Sequence, residues 1–272
     1  MADNGIKAGE AVEVLVSVIM PAWNCAGTIG KAIDSVLAQD VPLELIVVND
    51  TSPDDLDDVM QKYQTDARIR YVKNEHNLGA SGSRNRGVAL AKGSYVAFLD
   101  ADDWWAKGKL KKQMQLLAAT QAVLCSTGRE LLTPDGRQTG RVIGVPEEIT
   151  YRKLLHHNCI NCSSVVLRTD VAREFPMEHE DSHEDYILWL RILKKYGRAV
   201  AVNEPLLKYR LSSKGKSGSK LQSARMTYRV YRYVGMSRWQ SLACFCMYAV
   251  NGVWKYARAY FLTCTLLVSV LL

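Results

Sequence analysis

The chain is 272 residues long, and 48% of its residues are hydrophobic and 23% are charged. This composition excludes an intrinsically disordered protein, and the length allows one large α/β domain or two smaller domains. The formal net charge of +7 is unevenly spread, because residues 187–240 hold thirteen bases and a single acid, Glu204. We therefore expect the C-terminal third to meet something anionic: nucleic acid, anionic lipid or a phosphorylated substrate.

The N-terminal region lacks the features of a secretion signal. Its apolar run, Val14 to Met20, is short and has few flanking bases, and it follows the acids Asp3 and Glu10. The seven cysteines are irregularly spaced, which argues against a disulfide framework. We expect the bulk of the protein to stay in the cytoplasm.

The first hundred residues alternate between apolar runs and segments with helical spacing of apolar residues. The pattern predicts strands at 14–20, 43–48, 69–72 and 95–99, with helices at 27–39, 54–63 and 79–91. Such alternation predicts an α/β fold with a mostly parallel sheet and helices on both faces. Ligands of such sheets bind outside the carboxyl ends of the strands.

Three polar groups follow the ends of three of these predicted strands, namely Pro21 to Asn24, Asp50, and Asp100 to Asp102. We expect all three groups to share one edge of the sheet. Asp100, Asp102 and Asp103 place three carboxylates within four positions. One or two carboxylates suit Mg²⁺ or Mn²⁺ when substrate phosphates and water complete the coordination. The alternative is that Asp102 and Asp103 cap the following helix.

The rest of the chain continues with a mixture of elements. We predict a basic helix at 107–120, a strand at 123–126, a turn at Thr133 to Gly136 between two antiparallel strands, and a strand at 162–167. A helix follows whose first turn carries Glu184 and Asp185, because Tyr186, Trp189, Leu190 and Leu193 have helical spacing. Two strands are predicted at 199–202 and 206–211.

The C-terminal region combines a basic loop with an apolar tail. Residues 212–219 predict a flexible basic loop, and residues 241–272 are mostly apolar but interrupted by Lys255 and Arg258. Each half of this tail is shorter than the roughly 20 residues that span a bilayer. We expect an anchor that lies in the membrane interface, or a re-entrant hairpin on the cytoplasmic leaflet. The alternatives are a buried helical pair and a dimer surface.

Five motifs occur in a fixed order: Val18–Asn24, Val47–Ser52, Asn77–Asn85, Leu99–Asp103 and Glu184–Arg191. Together they resemble the family 2 glycosyltransferases, over about residues 14–211. The resemblance implies the GT-A fold, which is Rossmann-like, and transfer of a sugar from a nucleotide-diphosphate donor with inversion. It divides residues 1–211 into a nucleotide-sugar half, about 14–126, and an acceptor half, about 127–211. We expect residues 212–272 to form the basic loop and a membrane-associating helical tail.

The resemblance implies a nucleotide pocket, in which Asp50 would hydrogen-bond the base, usually uracil, and Arg84 would lie near the base or the diphosphate. The family more often has Tyr or Phe at the position of Trp23, which preserves stacking, and an acid at the position of Asn49. Four residues after the first strand belong to this pocket by resemblance: Pro21, Ala22, Trp23 and Asn24, of which Ala22 and Trp23 would line the base.

The resemblance also implies the catalytic groups. Asp100 matches the acid that contacts the ribose, Asp102 matches the metal ligand, with Ala101 between them, and Asp185 matches the general base. A metal at the diphosphate and a carboxylate that takes the acceptor proton are what this chemistry requires. The alternative for Asp185 is a capping box with Ser182.

Arg210, Lys214 and Lys216 form a basic group at the start of the 212–219 loop. They would fold over the diphosphate if the loop closes. The alternative is solvated loop charge.

Two other classes of function remain open from the residues. His179 to His183 satisfies the H-E-x-x-H pattern of zinc hydrolases, which requires a helix that places both histidines on one face. Tyr228, Tyr231 and Tyr233 alternate with Arg229 and Arg232, a feature also found in basic modules that bind nucleic acid.

We predict a glycosyltransferase that uses Mn²⁺ or Mg²⁺ and transfers a sugar from a UDP-sugar to a lipid-linked saccharide, with inversion. The basic, apolar tail places it at the cytoplasmic face of the membrane, as a peripheral or monotopic protein in cell-surface polysaccharide synthesis. We expect no nucleic-acid partner. The donor sugar, the linkage and the oligomeric state do not follow from the sequence.

Overall fold

The computed structural model describes residues 15–211 and 220–251. Its first half alternates strands and helices as predicted, with helix ends at most two residues inside the predicted bounds. The strands are β1 (Val16–Ala22), β2 (Leu43–Asn49), β3 (Ile69–Lys73) and β4 (Tyr95–Phe98), and the helices are α1 (Ile29–Leu37), α2 (Leu56–Gln61) and α3 (Gly79–Leu90).

The second half is more irregular. Its strands are β5 (Trp104–Trp105), β6 (Leu124–Leu132), β7 (Gln138–Ile143), β8 (Glu148–Thr150), β9 (Val166–Arg168) and β10 (Arg198–Arg210). Its helices are α4 (Lys109–Thr120), α5 (Tyr151–His156), α6 (Thr169–Glu174), α7 (Glu184–Tyr196), α8 (Lys220–Tyr233) and α9, described over 238–251.

One sheet contains the ten strands of the described residues, in the order β3-β2-β1-β4-β9-β6-β10-β5, with β7 beside β6 and β8 beside β10. The pairs from β3 to β4 are parallel, as predicted, and β6 also pairs with β10 in parallel. The remaining pairs are antiparallel: β9 with both β4 and β6, β7 with β6, and β5 and β8 with β10. The parallel strands therefore end together at one edge of the sheet, where the polar groups were expected.

Two predicted strands differ from the structure. The segment predicted as one strand at 162–167 begins with a 3₁₀ turn, Cys162–Ser164. The Asn161 side chain accepts the Ser163 N–H there, and this local bond competes with strand pairing. The strands predicted at 199–202 and 206–211 are the single strand β10, whose register against β6 shifts between Val202 and Leu207.

The core lies on both faces of the sheet. Val16, Val18 and Met20 of β1 pack into one apolar cluster, whereas Ile19 packs into the other with Phe98 and Trp189. Alternate residues of a strand face opposite sides, so a strand that is buried on both faces must be apolar throughout. This is why β1, β2 and β4 are continuous apolar runs in the sequence.

The predicted membrane tail is only partly described. Within residues 15–211 and 220–251, no helix combines the length and the apolar character needed to cross a bilayer. The basic loop at 212–219, with Lys214 and Lys216, and the rest of the tail, 252–272, lie outside the described residues.

The close approach of Gly93 to β1 yields a test of this packing. A Cβ atom at Gly93 would lie 2.4 Å from the Leu15 carbonyl oxygen and 2.8 Å from the Ser17 nitrogen. Because these are backbone atoms at the start of β1, which lies between β2 and β4, we expect Gly93→Ala to lower the free energy of unfolding by about 1–3 kcal/mol. Urea unfolding measures the change. Gly27→Ala is the matched control, since nothing lies within 4 Å of its Cβ position; equal effects would contradict this account.

Candidate active site

A cleft of about 650 Å³ lies at the carboxyl ends of the parallel strands. It contains every residue predicted for the nucleotide-sugar site, together with Arg210. Asp185 does not line it. The lining residues are Pro21, Ala22, Trp23, Asn24, Cys25, Thr28, Asp50, Asn77, Gly79, Ala80, Arg84, Asp100, Ala101, Asp102, Pro134, Glu180, Arg210 and Leu211.

The turn after β1 presents Trp23 at the cleft. Asn24 adopts a left-handed backbone conformation, with φ of 49°, which asparagine tolerates better than most residues. Its N–H donates to Ser52 Oγ at 2.7 Å, and the Ser52 N–H donates to Asn49 Oδ1 at 2.8 Å. Trp23 is 54% exposed as a result. Asn49 thus stabilises the turn through its hydrogen bond with Ser52, and it does not itself line the cleft.

Asp50 is the buried acid at the end of β2, with 3% exposure. Its Oδ1 accepts hydrogen bonds from Asn74 Nδ2 at 2.6 Å and from the Leu78 N–H at 2.8 Å. Leu78 directly precedes α3, so Asp50 connects the end of β2 to the start of that helix.

Arg84 is a buried cation between two acids that are far apart in the chain. Its Nη2 lies 2.6 Å from Asp100 Oδ1, and its Nη1 lies 3.4 Å from Glu184 Oε1. Burial alone lowers the pKa of an arginine, but the charge of Asp100 holds the pKa of Arg84 well above its usual value. Arg84 therefore stays charged and links the end of β4 to the start of α7.

Asp102 and Asp103 lie in a concentrated negative field. Burial, and then the charge of Asp100, raise the pKa of Asp102 to about 6. Asp103 is almost fully buried, its Oδ1 accepts the Arg210 N–H at 2.9 Å, and burial followed by the Asp102 charge raises its pKa well above the usual range. Neither acid caps the next helix, since α4 starts after Gly108. The capping alternative is therefore wrong.

Arg210, at the end of β10, is fixed over the same acids. Its Nε donates to the Asp102 carbonyl oxygen and its Nη1 donates to the Pro134 carbonyl oxygen, both at 3.0 Å. The second contact brings the turn between β6 and β7 to the cleft rim. These two strands pair in the antiparallel direction, so the hairpin predicted around the turn is confirmed. The Arg210 guanidinium is thus held at the cleft wall.

Asp185 occupies the first turn of α7, next to the Arg84 network. Its Oδ1 accepts the N–H of Tyr186 at 2.7 Å. The predicted capping-box alternative does not form, because Ser182 Oγ donates instead to the Met226 carbonyl oxygen at 2.8 Å. Burial, and then the charge of Glu184, raise the pKa of Asp185 to about 7, and Asp100 acts in the same direction. Asp185 is thus close enough to Glu184, Arg84 and Asp100 for their charges to act on it, but it does not line the cleft.

The H-E-x-x-H segment is not a zinc site. His179 has a left-handed backbone, with φ of 65°, and α7 begins only at Glu184, so the two histidines do not share a helix face. The His179 ring stacks on Tyr233 of α8, with 3.7 Å between ring centroids. The zinc hydrolase alternative is therefore wrong.

Sequence reasoning did not assign Glu180 and Glu184 to the site. Glu180 lines the cleft and Glu184 pairs with Arg84. The crowding of acids between Glu178 and Asp185 was visible in the sequence. Their partners, however, lie about a hundred residues away, and no local pattern reports such a contact.

The acids of the cleft fit a hard divalent cation. Asp102 offers carboxylate oxygens at the cleft, where burial and the charge of Asp100 disfavour its charged form and raise its pKa. Within residues 15–211 and 220–251, no group of three or more His, Cys, Asp or Glu side chains is arranged to hold a metal ion by itself. A cation at Asp102 would need further ligands, which matches the expectation of substrate phosphates and water.

Comparisons with known proteins agree on one family. The model described as glycosyl transferase family 2 matches residues 17–174. The chain is 37% identical over 244 residues to the putative teichuronic acid biosynthesis glycosyltransferase TuaG of Bacillus subtilis, covering 89% of this chain and 97% of TuaG. It is 34% identical over 247 residues to WfaP of Escherichia coli, a UDP-Glc:alpha-D-GlcNAc-diphosphoundecaprenol beta-1,3-glucosyltransferase, covering 90% of this chain and 97% of WfaP.

A solved structure shows the same fold. The mannosyltransferase PcManGT from Pyrobaculum calidifontis, in complex with GDP-Man and Mn²⁺, superposes with a TM-score of 0.64 at 16% identity. The match covers 94% of this chain and 81% of PcManGT. The GT-A fold class predicted from the sequence is confirmed.

The raised pKa of Asp185 predicts a pH-dependent effect on stability. A carboxyl whose pKa is higher in the folded state than in the unfolded state destabilises the fold increasingly as pH rises between those two values. We therefore expect Asp185→Asn to raise Tm relative to the unmodified protein, and to raise it more at pH 8 than at pH 5.

Thermal unfolding at both pH values measures this difference. Asp170→Asn is the control, because Arg168 lowers the pKa of Asp170 and its contribution is already complete at pH 5. A Tm difference for Asp185→Asn that is the same at both pH values would contradict the assignment.

Proposed function

This chain belongs to glycosyl transferase family 2, and we propose that it transfers the sugar of a UDP-sugar to a hydroxyl of a lipid-linked saccharide. Its enzymatic class, an inverting nucleotide-sugar transferase, follows from the family. The acceptor class rests on WfaP, whose name specifies an undecaprenol diphosphate-linked sugar. The observation that carries the proposal is the cleft, which unites motifs from β1, β2, α3 and β4. Family membership also favours a transferase over the basic nucleic-acid module.

In the proposed complex, the nucleotide lies between Trp23 and Asp50. The exposed face of Trp23 supplies a surface on which a base can stack, and stacking of this kind contributes about 1–3 kcal/mol per base. Asp50 is a buried carboxylate at the cleft wall and would accept the imide N–H of uracil. Pro21, Ala22 and Asn24 complete this end of the pocket.

The diphosphate would lie toward Asp100 and Asp102. Asp102 would hold Mn²⁺ or Mg²⁺, which when bound offsets the negative charge that develops on the leaving diphosphate. Arg210 is fixed by the Asp102 and Pro134 carbonyl oxygens and adds positive charge at the rim. Arg84 is neutralised by Asp100 and Glu184, so it orders the acids more than it attracts phosphate.

We propose Asp185 as the general base. A hydroxyl becomes an effective nucleophile when a carboxylate takes its proton as the new bond forms. In a single displacement that carboxylate lies across the sugar from the leaving group, and Asp185 is on a different element from Asp102, beside the cleft. Its pKa of about 7 suits proton transfer near neutral pH.

We also propose that α9 attaches the protein to the cytoplasmic face of the membrane. Cys244, Phe245 and Tyr248 pack against the core, with the Tyr248 ring 6.2 Å from Tyr186 of α7. The opposite face is apolar yet exposed; Trp239 is 81%, Leu242 46%, Met247 50% and Val250 54% exposed.

The surrounding charge favours an anionic lipid surface as the occupant of this face. After Glu204 the chain contains no acid, but it contains eleven bases. Among them, Arg225, Arg232 and Arg238 are exposed on α8 and α9. An exposed apolar helix face bordered by basic residues is typical of helices that lie in the membrane interface.

Substitution of the two central acids tests the reaction. We expect Asp102→Ala and Asp185→Asn each to lower transfer by about 100-fold or more, because each removes a group that acts in the transition state. UDP release from a panel of UDP-sugars, with Mn²⁺ and a lipid-linked acceptor, measures transfer, and circular dichroism checks folding. Asp170→Asn, at an exposed ion pair with Arg168 outside the cleft lining, is the control. Full activity in either variant would remove that residue from its proposed role.

The pH profile supplies a second readout of Asp185. A general base must be ionised, so kcat/KM should rise with pH and level off above about pH 7, the pKa of this carboxyl. A profile that is flat between pH 5 and 8 would contradict this role.

Vesicle binding tests the membrane proposal. Because each large apolar side chain contributes about 1.5–3 kcal/mol when buried, Trp239→Ser combined with Met247→Ser should weaken binding to vesicles that contain phosphatidylglycerol by about 10-fold or more. Co-sedimentation measures it. Val142→Ser, at another exposed apolar site on β7, is the control. Unchanged vesicle binding, or a loss of dimer mass in its place, would contradict the proposal.

A further inference from the structure

The loop before α7, residues 177–183, connects the cleft to α8. Glu180 extends from this loop to the N-terminus of α3. Its Oε1 accepts the Ala80 N–H at 3.1 Å, and its Oε2 accepts the Ser81 N–H at 3.0 Å. The first amides of a helix have no partner within the helix, and they attract anions. One carboxylate therefore covers two donors that would otherwise face the cleft.

The contact between Glu180 and α3 is close-packed. A Cβ atom at Gly79 would lie 2.7 Å from Glu180 Cδ, and Gly79 has φ of 73°. Both observations favour glycine, since a side chain would displace the carboxylate and the positive φ would be strained. Glycine at position 79 thus leaves the space at the start of α3 that the Glu180 carboxylate occupies.

Three residues of the 177–183 loop, on the side away from α3, bind α8. His179 stacks on Tyr233, and Asp181 Oδ2 accepts hydrogen bonds from the Tyr233 hydroxyl at 2.9 Å and from Arg229 Nη1 at 3.0 Å. Ser182 Oγ donates to the Met226 carbonyl oxygen. Because residues on both sides of Glu180 are held by α8, its carboxylate is positioned from outside the cleft.

The start of α3 is also part of the donor pocket. Leu78, one residue before α3, donates its N–H to Asp50, and Arg84 lies in the following turn and pairs with Asp100. A shift of this helix start would move both contacts. Glu180 thus acts on the proposed nucleotide site and on the acids at the proposed diphosphate site.

From these contacts, and on the basis of the proposed function, we propose that Glu180 is a positioning residue for the donor. It fixes the start of α3 and occupies the amides there, so that the diphosphate of a nucleotide-sugar is directed away from α3 and toward Asp102 and Arg210. The affinity for the donor then depends on an acid that need not touch the reacting atoms.

Kinetics of Glu180→Ala and Glu180→Gln test this proposal in the full chain. Loss of hydrogen bonds to a charged acceptor should raise the KM for the UDP-sugar by about 10-fold, with kcat at saturation within about 3-fold. Pyrophosphate should become a stronger competitive inhibitor, since the α3 amides are uncovered. Glu180→Gln keeps one acceptor oxygen and should show a smaller rise in KM than Glu180→Ala.

Calorimetry of UDP binding gives a readout that does not require turnover. We expect the affinity for UDP to fall by the same factor by which KM rises. Glu178→Gln is the matched control, because Glu178 belongs to the same loop but pairs with Arg191 outside the cleft. Unchanged donor KM and unchanged pyrophosphate inhibition would overturn the proposal, as would a fall in kcat alone. If the unmodified protein turned over no UDP-sugar, the proposed function itself would fail.

Discussion

The buried guanidinium of Arg84 is the interaction on which the arrangement of the site depends. It neutralises Asp100 at the end of β4 and Glu184 at the start of α7, two segments that are 84 positions apart in the chain. Removing one member of a buried ion pair leaves an uncompensated charge and is strongly destabilising. Because Asp185 follows Glu184 directly, the same pairing also keeps the proposed base beside the donor cleft.

The sequence was sufficient to predict the first half of the fold and the shared edge of the cleft. The strands there are buried on both faces, so each appears as an uninterrupted apolar run, and glycine or proline marks the turns. The rule that ligands bind at the carboxyl ends of parallel strands then collects Trp23, Asp50 and Asp102 without further information. The order of the five motifs identified the family, whereas the composition alone does not identify it.

The remaining features depend on contacts between distant residues. Glu180 reaches the amides of Ala80 and Ser81 across about a hundred positions, and nothing in its neighbourhood distinguishes it from Glu178, which lies outside the cleft. The sequence left the H-E-x-x-H alternative open for the same reason, since the pattern does not reveal that His179 lies in a loop and stacks on Tyr233. The 3₁₀ turn at Cys162 depends on one side-chain bond from Asn161.

The position of β9 has a consequence for how this architecture can vary. Residues 166–168 lie between β4 and β6. A strand from the second half of the chain therefore pairs with β4, which would otherwise be the edge strand of the parallel part of the sheet. A shortened chain that ended before β9 would leave β4 with an unpaired apolar border, a template for aggregation. Recombination between relatives is therefore least disruptive when β4, β6 and β9 are inherited from the same parent.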